Sequence, residues 1–184
     1  MTALKKNIFL TGAPSSGKTT VIKKLIGRLN HPVNGFYTEE ERFDGKRVGF
    51  MMHTIDGKKG HLAHQDIRSE FHIRRYGVSM ENIDTIAVPS IAPIGDNIII
   101  VDEIGKMECF SEVFKQAANE ALNSRNIVVG TITFGGDEFI LGIKNRGDIE
   151  IHEVTAENRD LLPAVILQRI SVLLRDQEGC ITSG

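Results

Sequence analysis

The sequence predicts an α/β domain of three layers: a mostly parallel β-sheet with helices on both faces and an antiparallel β insertion after the first helix. Three observations carry this reading. Short apolar runs alternate with amphipathic stretches of helical period along most of the chain, the rhythm of β-α-β units. Residues 34–64 break that rhythm with three β-leaning runs separated by Asp44-Gly45 and Asp56-Gly57, dipeptides that favour tight hairpins. The 184 residues, 41% apolar and 25% charged, are enough for one core, since a chain of this size buries roughly 70% of its unfolded surface.

The elements follow in order. Asn7-Ile8-Phe9-Leu10-Thr11 is a short apolar strand bounded by glycine. A helix is expected from about Gly17 to Leu29, with Val21, Ile22, Leu25, Ile26 and Leu29 on one stripe. Lys23, Lys24 and Arg28 lie on its other side and in its C-terminal half, where cations suit the dipole, and Asn30-His31-Pro32 ends it. The β-leaning runs Gly35–Arg42, Arg47–Ile55 and Lys59–His64 read as an antiparallel meander. Ser79 is the N-cap of a helix through about Ala87, with Glu81 in its first turn and Pro89 near its end.

Ile98-Ile99-Ile100-Val101 is continuous rather than alternating, the pattern of a strand buried on both faces. A helix from about Lys106 to Leu122 would bury Met107, Phe110, Val113, Phe114, Ala117, Ala118, Ala121 and Leu122. Strands follow at Asn126–Thr133 and Asp148–Val154. The last helix, from about Asp160 to Arg175, would bury Leu161, Leu162, Val165, Ile166, Ile170, Leu173 and Leu174, with Pro163 tolerated in its first turn. Residues 1–175 thus read as one domain and 176–184, which lack periodicity, as a flexible tail.

Composition excludes several functions. Lys and Arg number 22 against 24 Asp and Glu, a net charge of −2, so the global basic field of a dedicated nucleic-acid binder is absent and such a partner is not expected. Cys109 and Cys180 are far apart and in no metal or redox pattern, which rules out a disulfide framework. The run at 98–101 is far short of the ~20 apolar residues that span a bilayer. Met1–Asn7 contains no signal-type apolar region. A cytoplasmic monomer without a membrane partner is expected. His61-x-x-His64 with Asp66 hints at a metal, but strict strand alternation puts residues three apart on opposite faces, so no metal is expected there.

Two segments carry chemistry. Gly12-Ala13-Pro14-Ser15-Ser16-Gly17-Lys18-Thr19 fits G-x-x-x-x-G-K-[ST] at every fixed position, a match that chance gives on the order of 1% of the time in a chain this long. It leaves an apolar strand and opens an amphipathic helix, the context in which backbone N–H groups and the helix N-terminus cradle phosphates. Lys18 adds a cation at the β/γ oxygens, the Thr19 hydroxyl is placed to ligate Mg²⁺, and Thr20 is a candidate contact to the α-phosphate. The second segment is Asp102-Glu103 at the end of the apolar run. There Asp102 would hold Mg²⁺ through its water shell and Glu103 would orient or deprotonate a water. Asp102-x-x-Gly105 also matches a GTPase switch motif, but the guanine-reading Asn/Thr-Lys-x-Asp sequence is missing, so broad base tolerance is expected.

These residues resemble a known family. Phe9-Leu10-Thr11-Gly12 into Gly17-Lys18-Thr19-Thr20, Gly35-Phe36-Tyr37-Thr38-Glu39-Glu40, Val101-Asp102-Glu103-Ile104-Gly105-Lys106-Met107-Glu108 and Val154-Thr155-Ala156-Glu157-Asn158-Arg159 occur in the order seen in the THEP-type nucleoside-triphosphatases. The similarity runs from about Asn7 to Val172, and the 102–108 stretch is its most specific part. The resemblance implies a RecA-like P-loop fold, Mg²⁺ as cofactor, and slow hydrolysis of ATP, GTP, CTP and UTP to diphosphate and phosphate. It also implies a nucleotide site built from residues 12–20 and 101–108. The chain departs from the family at Ser15-Ser16, where many members carry Gly-Val, and at Thr131–Gly136, which replaces a proline-containing turn.

Several residues keep two readings. Arg146 and Arg159, each after an asparagine, are candidates to reach the γ-phosphate in cis, or else to pack against the base or to cap helices and pair with Asp148 or Asp160. Lys106, a cation at an expected helix start, faces either nucleotide or solvent. Glu39, Glu40 and Glu41 either line the crevice or blunt a sheet edge. Arg68, Arg74 and Arg75 form either a solvated face or a contact to a second substrate. For the chain as a whole, a hydrolase is favoured by Glu103. A small-molecule or nucleotide kinase is the alternative, because the insertion lies where acceptors are recognised, and a nucleotide-dependent interaction module is a third reading.

Overall fold

The computed structural model describes residues 4–181. The chain opens with β1 (Asn7–Thr11) and α1 (Lys18–Ile26), then runs through β2 (Val33–Phe43), β3 (Lys46–Thr54) and β4 (Lys59–His64). A small hairpin, β5 (His72–Ile73) and β6 (Tyr76–Val78), leads into α2, which joins Met80–Asn82, Ile83–Ala87 and Val88–Ser90 end to end. Then come β7 (Ile98–Ile104), a 3-10 turn (Glu108–Phe110), α3 (Glu112–Asn123), β8 (Val128–Ile132), α4 (Glu138–Lys144), β9 (Ile149–Glu153) and α5 (Leu162–Ile181).

All the strands share one sheet in the order β5-β6-β4-β3-β2-β7-β8-β1-β9. Neighbours from β2 to β9 are parallel. Those from β2 to β5 are antiparallel. The antiparallel segment is therefore an extension of the main sheet, because β2 belongs to both halves. Residues 33–36 pair with 98–101 of β7, and residues 36–43 pair with β3. Gly35 makes the joint possible: its φ is +122°, and a Cβ there would lie 1.9 Å from the Ile100 carbonyl oxygen.

The buried strands have two apolar faces, as the continuous runs imply. Ile8, Leu10, Ile98 and Ile100 pack with Val21, Ile22 and Leu25 of α1 and with Leu162, Ile166, Ile170 and Leu173 of α5. Phe9, Ile99 and Val101 pack on the other side with Ile83 and Ala87 of α2, Phe114 and Ala118 of α3, and Ile140 and Ile143 of α4. Full burial of each large side chain contributes about 1.5–3 kcal/mol, so the sheet is clamped from both sides.

Several boundaries differ from the sequence reading. The expected helix start at Lys106 moves to Glu112, because Ser111 adopts an extended conformation and its Oγ accepts the Phe114 N–H at 3.0 Å. Val113 on this helix is exposed, as are Leu161 and Val165 at the start of α5, all three expected to be buried. Glu138–Lys144 is a helix that the sequence reading lacked, capped by Asp137, whose Oδ1 accepts the Ile140 N–H at 3.0 Å. α5 continues past Arg175 to Ile181, so the expected tail is helical there, and 182–184 lie outside the described residues. Ser79 does cap α2, as expected. The wider π winding over Ile83–Ala87 contains the carbonyl with which Pro89 would collide in a regular helix.

Candidate active site

β1 ends at Thr11 and the chain turns at once into residues 12–17. Gly12 (φ +144°), Ser15 (φ +62°) and Gly17 (φ +104°) curl this loop into a concave nest of backbone N–H groups. The loop is backed by the end of β9, since a Cβ on Gly12 would lie 2.8 Å from the Val154 carbonyl oxygen. No side chain caps α1 at Gly17, which leaves its first-turn N–H groups without a side-chain acceptor. Lys18 Nζ folds back over the loop and donates to the carbonyls of Gly12 at 3.1 Å and Ala13 at 3.3 Å.

The acidic strand end faces this loop across β8, which separates β7 from β1. Asp102 is 1% exposed; Thr131 Oγ1 of β8 donates to its Oδ1 at 2.6 Å. Asp102 Oδ2 is buried with no hydrogen-bond partner, as are Thr11 Oγ1 and Ser16 Oγ at the phosphate loop. Burial pushes the Asp102 carboxyl up from the usual range, against the hydrogen-bonding pull of Thr131 and Thr19 and the charge of Lys18. Burial also pushes Glu103 up to about 7, with Lys18 opposing the rise and Asp102 adding to it. Glu108, 2% exposed, is raised well above the carboxylate range by burial first and by Glu103 second. The two glutamates fold over one glycine: a Cβ on Gly105 would meet Glu103 Oε1 at 2.7 Å and Glu108 Oε2 at 2.9 Å.

A cleft of about 870 Å³ opens above these groups, floored by Gly12, Pro14, Ser15, Gly17, Lys18, Thr19 and Thr20. Glu103, Met107 and Glu108 form one wall, and Thr133 and Phe134 after β8 another. The antiparallel extension supplies the outer wall through Thr38, Glu39 and Glu40 of β2 and Arg47 and Phe50 of β3. Glu39 pairs with Lys23, and Glu40 Oε1 accepts from Arg47 at 2.7 Å, so these acids line the cleft already partnered. Sequence reasoning missed Thr38 as a lining residue, together with Arg47, Phe50 and the Asp102 partner Thr131. The inward register of Thr131 at the end of an apolar strand was the one readable signal.

The structure separates the other candidates. Arg159 lies at the loop, its Cδ 3.5 Å from the position of a Gly17 Cβ. Arg146 does not reach the cleft, which corrects its reading as a catalytic group. Its guanidinium is held by Asp148 at 2.9 and 2.8 Å and by Asn123 Oδ1 at 2.9 Å. The Asp148 carbonyl in turn accepts the Asn7 N–H, at the amino end of the sheet. The physical reason is α4, which carries the chain from the carboxyl end of β8 back to the amino end of β9. Lys106 is exposed and lies outside the cleft lining, while the Val101 and Ile104 side chains belong to the core beneath it. Arg75 is folded onto Tyr76, donating to its hydroxyl at 3.0 Å.

A strand–glycine loop–helix unit facing a buried strand-end aspartate defines a P-loop protein built to hold polyphosphate. A family model described as NTPase matches residues 7–167, and the chain belongs to that family. It is 44% identical over 162 residues to the nucleoside-triphosphatase THEP1 of Thermotoga sp. (strain RQ2), covering 87% of this chain and 92% of that protein. It is 36% identical over 183 residues to the human cancer-related nucleoside-triphosphatase, covering 89% and 96%. Among solved structures, the crystal structure of THEP1 from Aquifex aeolicus superposes with a TM-score of 0.81 at 33% identity, covering 89% of this chain and 98% of that one. The solution structure of the human protein gives a TM-score of 0.75 at 34% identity, covering 90% and 97%. No helix among the described residues is long and apolar enough to cross a membrane.

Proposed function

We propose that the chain is a Mg²⁺-dependent nucleoside-triphosphatase of broad base tolerance, releasing phosphate from ATP, GTP, CTP and UTP at a slow rate. The observation that carries this is the buried, unpartnered Asp102 Oδ2 facing the phosphate loop, with Glu103 beside it. An unpaired buried oxygen costs about 1–3 kcal/mol unless the working state supplies a partner. The hard oxygen donors here fit Mg²⁺: Thr19 and Asp102 would hold it, and the bound ion would neutralise charge on the β- and γ-phosphate oxygens.

The side chains divide the remaining work. The loop N–H groups and Lys18 bind the β- and γ-phosphates, with Lys18 exchanging its two loop carbonyls for phosphate oxygens. Glu103 orients a water and takes its proton as the water oxygen bonds to the γ-phosphorus, and the bond to the β–γ bridging oxygen breaks to leave diphosphate. A carboxyl with a pKa of about 7 is matched to that transfer at neutral pH. Arg159 offsets charge that develops on the transferred group. Without a well-placed arginine such hydrolysis idles near ~10⁻⁴ s⁻¹, and with one in cis near ~10⁻² s⁻¹.

The test is phosphate release from the four triphosphates with Mg²⁺, in the wild type and in Glu103→Gln. Slow release from all four that is lost in the variant supports the proposal, and equal rates in the two proteins overturn it. One observation favours transfer to an acceptor as a second reading: the cleft continues past the loop to Thr38, Arg47 and Phe50. Phosphorylation of an added acceptor faster than release to water would move the assignment to a kinase.

A further inference from the structure

We infer that the antiparallel extension carries a second metal site, formed by Glu41 of β2 with His61 and His64 of β4 and suited to a Zn²⁺-class divalent cation. Strand alternation argues against this trio, and the structure removes the objection in two ways. The β3–β4 ladder pairs Phe50 with Ala63 but Met51 with His61, so Leu62 is an extra residue in a β-bulge. Leu62 and Ala63 both turn into the core, and His61 and His64 emerge together on the other face. The second feature is Gly49, which sits in β3 between its partners Glu41 and His64. A Cβ there would meet His64 Cδ2 at 2.7 Å, so the imidazole occupies the space a side chain would fill and reaches towards Glu41.

One donor atom from each of the three residues lies within 4.8 Å of the other two. Glu41 Oε2 is 2.9 Å from His61 Nε2, yet this buried oxygen receives no directed hydrogen bond. Two ligand atoms that are close but not aimed at each other have the geometry of atoms aimed at a shared third point. Two imidazoles and one carboxylate, with the His61 and Glu41 side chains 41% and 36% exposed, leave a position open to water. That donor set suits Zn²⁺ better than Mg²⁺ or Ca²⁺, which take all-oxygen shells. Asp66 completes the arrangement. Its carboxylate lies 3.5 Å from His64 Nδ1 and can hold the proton there when Nε2 ligates, in place of the Asp66 N–H that Nδ1 now accepts at 3.2 Å. An ion so held would tie β2 to β4 across β3, and Glu41 directly follows the cleft-lining Glu39 and Glu40.

The test is titration of the full chain with Co²⁺ as a spectroscopic stand-in for Zn²⁺, in the wild type, His61→Ala, Glu41→Gln, Asp66→Asn and Asp102→Asn, each first shown to be folded by circular dichroism. The expected result is one equivalent bound with the visible ligand-field bands of tetrahedral Co²⁺, weakened at least about 100-fold in His61→Ala and Glu41→Gln and about 10-fold in Asp66→Asn. Those bands should persist in Asp102→Asn, and His61→Ala should hydrolyse triphosphate with Mg²⁺ at the wild-type rate. Absence of the bands at stoichiometric Co²⁺, equal binding in the wild type and His61→Ala, or bands lost only in Asp102→Asn would each overturn the assignment.

Discussion

Replacing Glu103 with glutamine should make the protein inactive and more stable at the same time, and the size of the gain can be worked out. A glutamate titrates near 4.5 in the unfolded chain, whereas burial raises Glu103 to about 7 in the fold. Between those values the folded state holds a proton that the unfolded state has lost. The stability contributed by this group is therefore full below 4.5, falls as the pH rises towards 7, and is flat above it. At about 1.4 kcal/mol per tenfold, ionising Glu103 in the folded protein costs roughly 3 kcal/mol by about pH 8. Glutamine has nearly the same shape and never ionises. Glu103→Gln should thus match the wild type at acid pH and exceed it by roughly 3 kcal/mol at about pH 8, an increase of about 6–12 °C in Tm for a chain of this length. The assay is thermal unfolding in chelator at about pH 5 and about pH 8, paired with phosphate release at the higher pH. A Tm difference that is the same at both pH values would refute the desolvation reasoning. Wild-type turnover in the variant would refute the role given to Glu103.

Other substitutions separate positions that local sequence leaves alike. Arg159→Ala should lower turnover by about 10²-fold in single-turnover phosphate release, while Arg146→Ala should leave it unchanged and cost about 1 kcal/mol in a urea melt through loss of its Asp148 and Asn123 contacts. Thr131→Val keeps the shape of a fully buried side chain and removes the 2.6 Å hydrogen bond to Asp102 Oδ1. It should cost about 1.5–3 kcal/mol and weaken Mg·nucleotide binding by calorimetry, and unchanged values for both would refute the coupling. Lys18→Ala should weaken triphosphate binding and abolish turnover, whereas Glu103→Gln should keep the binding; equal loss of binding in the two would sink that division of labour.

The phosphate loop was legible because its chemistry is local. The glycines, lysine and threonine that make the nest are consecutive, and the flanking strand and helix announce themselves by their apolar patterns. Asp102 and Glu103 were legible for a related reason: a run buried on both faces must end at a sheet border, and its carboxyl end is where ligands sit. The outer wall of the cleft was legible only in part, through Glu39 and Glu40 as candidate lining residues. Arg47 and Phe50 reach it only because β2 changes partner at Phe36, from parallel pairing with β7 to antiparallel pairing with β3. The bulge at Leu62 was hidden in the same way, since a single extra residue shifts the face of everything after it and leaves no compositional mark.

The two arginines make the limit plain. Asn145-Arg146 and Asn158-Arg159 are identical pairs, each followed within two residues by an aspartate. What sends one to the phosphate loop and the other to the far end of the sheet is the direction of the chain between strands. α4 lies between β8 and β9, so the chain has crossed the full height of the sheet before it reaches Arg146. Arg159 follows β9 directly and stays at the carboxyl end, where the Val154 N–H donates to Thr11 at 2.8 Å. α4 has only seven residues, the fifth of them a glycine, and so carries too little periodicity to be recognised. Its formation rests on the local Asp137 cap and on Ile140 and Ile143 reaching the core, and the second is a tertiary fact. Which of the two arginines stands at the phosphate loop was therefore decided by a short helix with little readable periodicity.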